Sequence, residues 1–211
     1  MSRPIIYLGP SLPLAEARAI LEADYRPPVK RGDLSALQDA ELVGIIDGVF
    51  LQNCSVGHRE ILALIQRGVR VVGGGSMGAL RAAEMRQYGM KGVGRIFEMY
   101  ASGRIEGDDE VALVFDPENM EPLSEPMVNL RFMLDRALEL GEIDDIERGE
   151  LIDRLRSTYY PRRNIPGFLS IADTVLGPKR GNEFRELFVV IYHDIKKEDA
   201  ISVVNHIKNM I

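Results

Sequence analysis

Apolar residues arrive in short blocks through the first half of the chain and at helical spacing through the second. Ile5 to Leu8 is a compact apolar run closed by Gly9-Pro10-Ser11, and it predicts a strand. From Pro13 to Ala23, Leu14, Ala17, Ile20 and Leu21 share one face of a helix that opens on a proline. Tyr25 to Leu34 contains Pro27-Pro28, which forbids helix, so an ordered loop or edge segment is expected there. Leu42 to Asp47 reads as a second strand ending in Asp47-Gly48. Val56 to Gln66 reads as a helix, with Gly68 in the stopping position. Val69 to Val72 gives a third strand, followed by Gly73-Gly74-Gly75-Ser76-Met77-Gly78. Ala79 to Tyr88 is a small-residue helix stopped by Gly89.

This alternation predicts a parallel sheet with right-handed crossovers. In such sheets ligands collect at the carboxyl ends of the strands. Here those ends carry Gly9-Pro10-Ser11, Asp47-Gly48 and Gly74-Gly75-Ser76. After about Gly92 the pattern turns helical: Val93 to Ser102, Ser124 to Leu140 with Ser124 as N-cap, and Asp144 to Ser157. Val111 to Phe115 could add a strand, and Tyr159-Tyr160-Pro161-Arg162-Arg163 interrupts the helices. Further helices are expected at about Gly167 to Leu176, Asn182 to Tyr192 and Lys197 to Met210. The expected class is α/β: a small, mainly parallel sheet with flanking helices in the N-terminal half and a helical C-terminal layer. With no Ser/Gly linker, one domain is expected over 1–211, with an α/β core over 1–120 and a mostly helical extension over 121–211.

At 211 residues the chain is long enough to bury roughly 70% of its unfolded surface without covalent staples. Its net charge of −6 argues against a general binder of nucleic acid or anionic membrane. The single cysteine, Cys54, excludes an internal disulfide framework, a zinc site of two or more thiolates and a two-cysteine relay. The N-terminus lacks a charged n-region and a cleavage site, and no apolar run reaches the ~20 residues of a spanning helix. A cytosolic, soluble protein is expected.

Gly74-Gly75-Ser76-Met77-Gly78 fits Gly-x-Ser-x-Gly between an apolar strand and a helix, the context that motif requires. Ser76 there is a nucleophile, a helix cap or part of an anion-binding nest. As a nucleophile it would use the Met77 and Gly78 amides as an oxyanion hole. Dinucleotide binding through Gly-x-Gly-x-x-Gly fits less well, because the run follows the third strand and no acidic ribose ligand follows. The base is open. His58, at the start of the second helix, allows a Ser76–His58–Asp47 triad, and otherwise lies on the surface. A buried lysine can also serve, and Lys30 sits in the proline-stiffened loop before the second strand. Arg81 holds a carboxylate near the site or pairs with Glu84. Asp108-Asp109-Glu110 reads as a solvated loop and not a metal cluster. No metal is expected.

Several stretches together resemble the TfuA-like family. They are Pro27-Pro28-Val29-Lys30-Arg31-Gly32-Asp33-Leu34, Ile45-Ile46-Asp47-Gly48 and Val56-Gly57-His58-Arg59-Glu60-Ile61-Leu62. Gly75-Ser76-Met77-Gly78-Ala79-Leu80-Arg81-Ala82-Ala83-Glu84, Tyr88-Gly89-Met90-Lys91-Gly92-Val93-Gly94 and Asp108-Asp109-Glu110-Val111 continue the series. The resemblance covers roughly residues 5 to 135.

It implies a role beside a YcaO enzyme, which uses ATP to activate a peptide-backbone amide for replacement of its oxygen by sulfur. It further implies hydrolase-like chemistry by a Ser–Lys pair, releasing sulfide from the thiocarboxylate tail of a ubiquitin-fold sulfur carrier. By motif the serine is Ser76 and the lysine Lys30. Gly9, Ser11, Asp47, Gly48, His58, Gly75 and Arg81, at or near the carboxyl ends of the strands, are expected to support the substrate or the site. ATP and metal would belong to the YcaO partner, so no cofactor is expected on this chain. The size is similar to that of archaeal members that help thioamidate a glycine of methyl-coenzyme M reductase, so its alpha subunit is one implied substrate. A non-catalytic adaptor that recruits the YcaO enzyme and its peptide is the alternative. Cys54 lies outside the matching stretches, which implies that sulfur never becomes bound to this chain.

Overall fold

The computed structural model describes residues 3–50 and 54–211. The chain divides into two compact units, one of residues 1–108 and 195–211, the other of residues 109–194.

The first unit is built on five strands: β1 (Ile5–Tyr7), β2 (Asp24–Arg26), β3 (Leu42–Ile45), β4 (Arg70–Gly73) and β5 (Lys91–Gly92). All pair in parallel, in the order β2-β1-β3-β4-β5. β1 and β3 are buried along their whole length, as strands covered on both faces must be, which is why they read as unbroken apolar runs. The crossover helices are α1 (Leu14–Ile20), α2 (His58–Gln66) and α3 (Met77–Met85), with α4 (Arg95–Ala101) after β5. Gly68, at φ +84°, ends the α2 region, and Gly89, at φ +105°, ends the 3-10 turn that extends α3. Helix α8 (Ile195–Lys208), from the far end of the sequence, completes this unit. Its Ala200, Val203, Val204 and Ile207 join α1 and the sheet in one cluster with Ile6, Leu8, Ile46 and Val72.

The second unit packs α5 (Met127–Glu139), α6 (Asp145–Ser157) and α7 (Ile165–Ile191) around Leu130, Leu134, Leu151, Leu155, Phe168 and Phe184. A reciprocal capping box opens α6: Asp144 accepts from the Glu147 amide at 2.8 Å, and Glu147 accepts from the Asp144 amide at 3.1 Å. The two helices expected around residues 167–192 are both present within α7, and they meet at Gly177, whose φ of +80° and ψ of 163° are not helical. Three local expectations need correction. Val111 to Phe115 forms no strand; Phe115 makes an isolated antiparallel bridge with Pro122. Ser124 does not cap α5, which starts after Pro126, because its hydroxyl accepts from the Val114 amide at 2.8 Å. Asp108-Asp109-Glu110 is not a solvated loop: Glu110 is buried in a two-pronged bond to Arg131 (2.6 and 2.7 Å), and Asp109 pairs with buried Arg163.

Candidate functional site

In the strand order β2-β1-β3-β4-β5 the chain leaves β1 toward one edge and β3 toward the other. Their loops therefore diverge, opening the crevice at the carboxyl ends where doubly wound sheets bind ligands. Asp47 stands at that divergence, 2% exposed. Its Oδ2 accepts from the Gly9 amide at 2.8 Å and the Ser11 amide at 3.1 Å, and its Oδ1 accepts from the Ser11 hydroxyl at 2.6 Å. One carboxylate thus holds the whole turn after β1. A β-carbon on Gly9 would press on the Pro28 ring, so the loop after β2 closes over the same point.

The turn after β4 is made by glycines because its neighbours leave no room. Gly75 has φ +74°, and the Ser76 amide donates to the Gly74 carbonyl at 2.9 Å, a three-residue turn that side-chain-bearing residues rarely adopt. Behind it, a β-carbon on Gly75 would lie 3.5 Å from the Lys196 carbonyl oxygen and the Ala200 nitrogen of α8. A β-carbon on Gly78 would overlap the Ile45 carbonyl oxygen, so α3 touches the sheet backbone directly. The reversal presents Ser76, 1% exposed, at the N-cap position of α3. A capping serine accepts from an amide of the first helical turn. Ser76 makes no such bond, and its ψ of −120° departs from the extended value of an ordinary cap. The hydroxyl is held at the helix N-terminus without being spent there.

The oxyanion hole expected from Met77 and Gly78 is altered by the packing. The Gly78 amide donates to the Ile46 carbonyl at 3.1 Å and is unavailable to a substrate. The Met77 amide, at the first helical position, has no acceptor within the helix and points with the helix dipole.

Lys30 follows Val29, which bridges Gly48 in parallel and donates its amide to the Asp47 carbonyl at 2.9 Å. A β-carbon on Gly48 would meet the Met77 side chain, so Val29, Gly48 and Met77 form one continuous patch. The Lys30 loop is pinned by its backbone: Lys30 N–H to Asp33 (2.9 Å), Arg31 N–H to the Cys54 carbonyl (2.7 Å) and Gly32 N–H to Glu60 (2.8 Å). The Lys30 side chain is exposed, not enclosed in a dry pocket.

The Ser76–His58–Asp47 triad is not assembled. Both Asp47 oxygens are taken by the β1 turn, and His58, on the surface, bonds through Nε2 to Glu84 at 2.8 Å. Arg81 bonds to the same Glu84 at 2.6 Å and to the Val56 carbonyl at 3.2 Å, joining α3 to the start of α2. Cys54 is exposed. Among the described residues no group of three or more His, Cys, Asp or Glu side chains could hold a metal ion.

Sequence reading expected a helix over Lys197 to Met210 but missed the work done by α8, which stands there. Besides backing Gly75, it brings Asp199 to the amides of Arg95 (2.9 Å) and Ile96 (2.8 Å), capping α4 beside Gly94. Burial, partly opposed by those two bonds, pushes its carboxyl up to about 6. No local pattern around residue 199 marks it, since its partners lie about a hundred residues away.

Among the described residues no helix is long and apolar enough to cross a membrane. No curated protein matches the chain. The model of the family described as TfuA-like protein matches residues 47–164, which contain Asp47, the Ser76 turn and Arg81. That span is more than half of the sequence, and the chain belongs to the TfuA-like family, a membership that suggests an accessory role in thioamidation.

Proposed function

We propose that this chain releases sulfide for peptide-backbone thioamidation by a YcaO enzyme, hydrolysing the C-terminal thiocarboxylate of a ubiquitin-fold sulfur carrier. The observation that carries the reading is the state of Ser76: a buried hydroxyl at a helix N-terminus, on the carboxyl edge of a parallel sheet, that caps nothing. Ser76 Oγ attacks the thiocarboxyl carbon while neutral Lys30 takes its proton. The oxygen of the tetrahedral adduct lies toward the Met77 amide and the positive end of α3. The carbon–sulfur bond breaks, Lys30 returns the proton, and hydrosulfide leaves. Water, deprotonated by Lys30, then cleaves the acyl-serine and restores both groups. Lys30 needs the docked carrier to cover it, since loss of water is what lets an ammonium give up its proton. The glycine-lined turns after β1 and β4 suit a thin, glycine-terminated tail. The peptide is unnamed by this chemistry; methyl-coenzyme M reductase is one substrate to try.

The direct test follows the mass of a thiocarboxylated carrier incubated with the protein. Conversion to the carboxylate is expected with the wild type and lost in Ser76→Ala. Equal cleavage by both would overturn the assignment. The exposure of Lys30 favours a second reading, a non-catalytic adaptor for the YcaO enzyme. In that case Ser76→Ala and Lys30→Ala both leave reconstituted thioamidation intact.

A further inference from the structure

The outer edge of the sheet lies at the bottom of a groove. Parallel pairing turns alternate residues of β2 toward β1: the Asp24 amide donates to the Pro4 carbonyl at 2.9 Å, and the Arg26 carbonyl accepts from the Leu8 amide at 2.8 Å. Tyr25, between them, directs its own N–H and C=O outward, where no further strand of the sheet lies. Among the described residues these two backbone groups take no hydrogen bond.

The edge is walled on both sides. On one side stands α1 with its exit, bearing Arg18 and Glu22. The Tyr25 ring closes against that wall, its hydroxyl donating to the Ala17 and Leu21 carbonyls, both at 2.9 Å. On the other side, segment 36–40 is strapped to the end of α2 by Arg67, whose guanidinium donates to the Leu37 and Gln38 carbonyls. The space between the walls is about 640 Å³, within the range of ligand-binding clefts. Two facing charges are uncommitted: Arg18 on the α1 wall and Asp39 on the other make no ion pair among the described residues. Glu22 and Asp24 are already matched by Arg3 (4.0 Å) and Arg26 (2.8 Å).

We propose that this groove receives an extended peptide segment of a partner protein, which adds a sixth strand through paired hydrogen bonds to Tyr25 and sets an acidic side chain over Arg18. Strand addition draws affinity from main-chain bonds, which any sequence can supply, and specificity from side chains that alternate between the walls. A strand held by β2 has one face against α1 and the other against segment 36–40, so its side chains read Arg18 and Asp39 alternately. The proposal is independent of the Ser76 chemistry, because Tyr25 and Arg18 lie outside that site. A short edge flanked by charges is also how sheets avoid unwanted pairing, so the discriminating observation is register-specific binding.

The test is an amide-resolved NMR titration of the full chain with the capped hexapeptide acetyl-Thr-Glu-Val-Thr-Val-Thr-amide. Saturable shifts are expected at the Tyr25 amide and through residues 36–40. N-methylation of alternate peptide nitrogens should abolish them in one register and spare them in the other. Arg18→Ala and Glu-to-Gln in the peptide should each weaken binding about two- to fivefold, the worth of an exposed ion pair, and should not add when combined. Ser76→Ala should bind the peptide as the wild type does. Absence of shifts at Tyr25 at several millimolar peptide would overturn the proposal, as would N-methyl effects without alternation. Concentration-dependent shifts of the same amides without peptide would assign the edge to a second copy of the chain instead.

Discussion

Removing the Asp47 carboxylate should loosen the turn after β1 more than any other single change at the crevice. Asp47→Ala strands the Gly9 and Ser11 amides, both in buried residues, without an acceptor, and frees the Ser11 hydroxyl. A buried donor left unpaired costs about 1–3 kcal/mol, so two donors set a ceiling of about 6 kcal/mol. Water entering the space left by the carboxylate recovers part of that, and about 3 kcal/mol is expected. Asp47→Asn is a sharper probe because it keeps the shape. Its carbonyl oxygen can still accept from both amides, and its NH2 can donate to a Ser11 hydroxyl turned to accept. Only the extra strength of bonds to a charged acceptor is lost, about 1 kcal/mol. Ser11→Ala should cost about the same, since it deletes a single bond. The chain has no tryptophan, so unfolding in urea is followed by far-UV circular dichroism or tyrosine fluorescence. Hydrogen exchange at β1 and β3 amides localises the effect to the first unit. If Asp47→Ala lies within about 0.5 kcal/mol of the wild type, or costs less than Asp47→Asn, the carboxylate does not hold the turn and the account of the crevice is refuted.

Gly78→Ala should prevent folding or cost more than about 3 kcal/mol, because its β-carbon overlaps the Ile45 carbonyl oxygen and backbone must move; a thermal melt near wild type would contradict the packing of α3. Asp199 ionises near pH 6 when folded but near its ordinary value of 3.8 when unfolded, so between about pH 4 and 6 the unfolded chain releases this proton first and stability falls as pH rises. The window is worth about 3 kcal/mol, and Asp199→Asn should flatten it in chemical denaturation at stepped pH; an unchanged slope would argue against the buried carboxylate as its source. His58→Ala should leave sulfide release intact and move stability by no more than about 0.5 kcal/mol, since it removes an exposed pair with Glu84; loss of release would restore a histidine base. Cys54→Ser should retain full activity in the carrier assay, and its failure would reopen a persulfide route through this thiol.

The elements that could be read from the sequence are those whose cause is local. β1, β3 and β4 are dense apolar blocks that run into glycine-containing turns, and the turn around Ser76 announces itself because a glycine run between strand and helix has few other uses. Asp47 was legible as a residue at a strand end but its work was not, because its partners at Gly9 and Ser11 lie more than thirty residues earlier. Asp24-Tyr25-Arg26 carries one apolar side chain and precedes two prolines, so nothing but its pairing with β1 makes it a strand. Val111 to Phe115 shows the converse, an apolar run that looks like a strand; Val111 and Ala112 are buried without joining a ladder. The triad failed for a geometric reason. Residues that share a sheet edge in sequence need not face one another, and α2 sets His58 toward Glu84 on the surface.

The place of α8 in the first unit bears on how the chain is made. A ribosome delivers all five strands before residue 93, yet the apolar face formed by Ile6, Leu8, Ile46 and Val72 has no final cover until residues 195–211 emerge. Some hundred residues, enough to fold the whole helical unit, are synthesised in between. During that interval the nascent sheet exposes an apolar surface to solvent or chaperone, the condition under which partly folded chains aggregate. A message that stops before codon 195 would leave the glycine turn around Ser76 without its backing, so a premature stop there would act on the site as surely as a change within it.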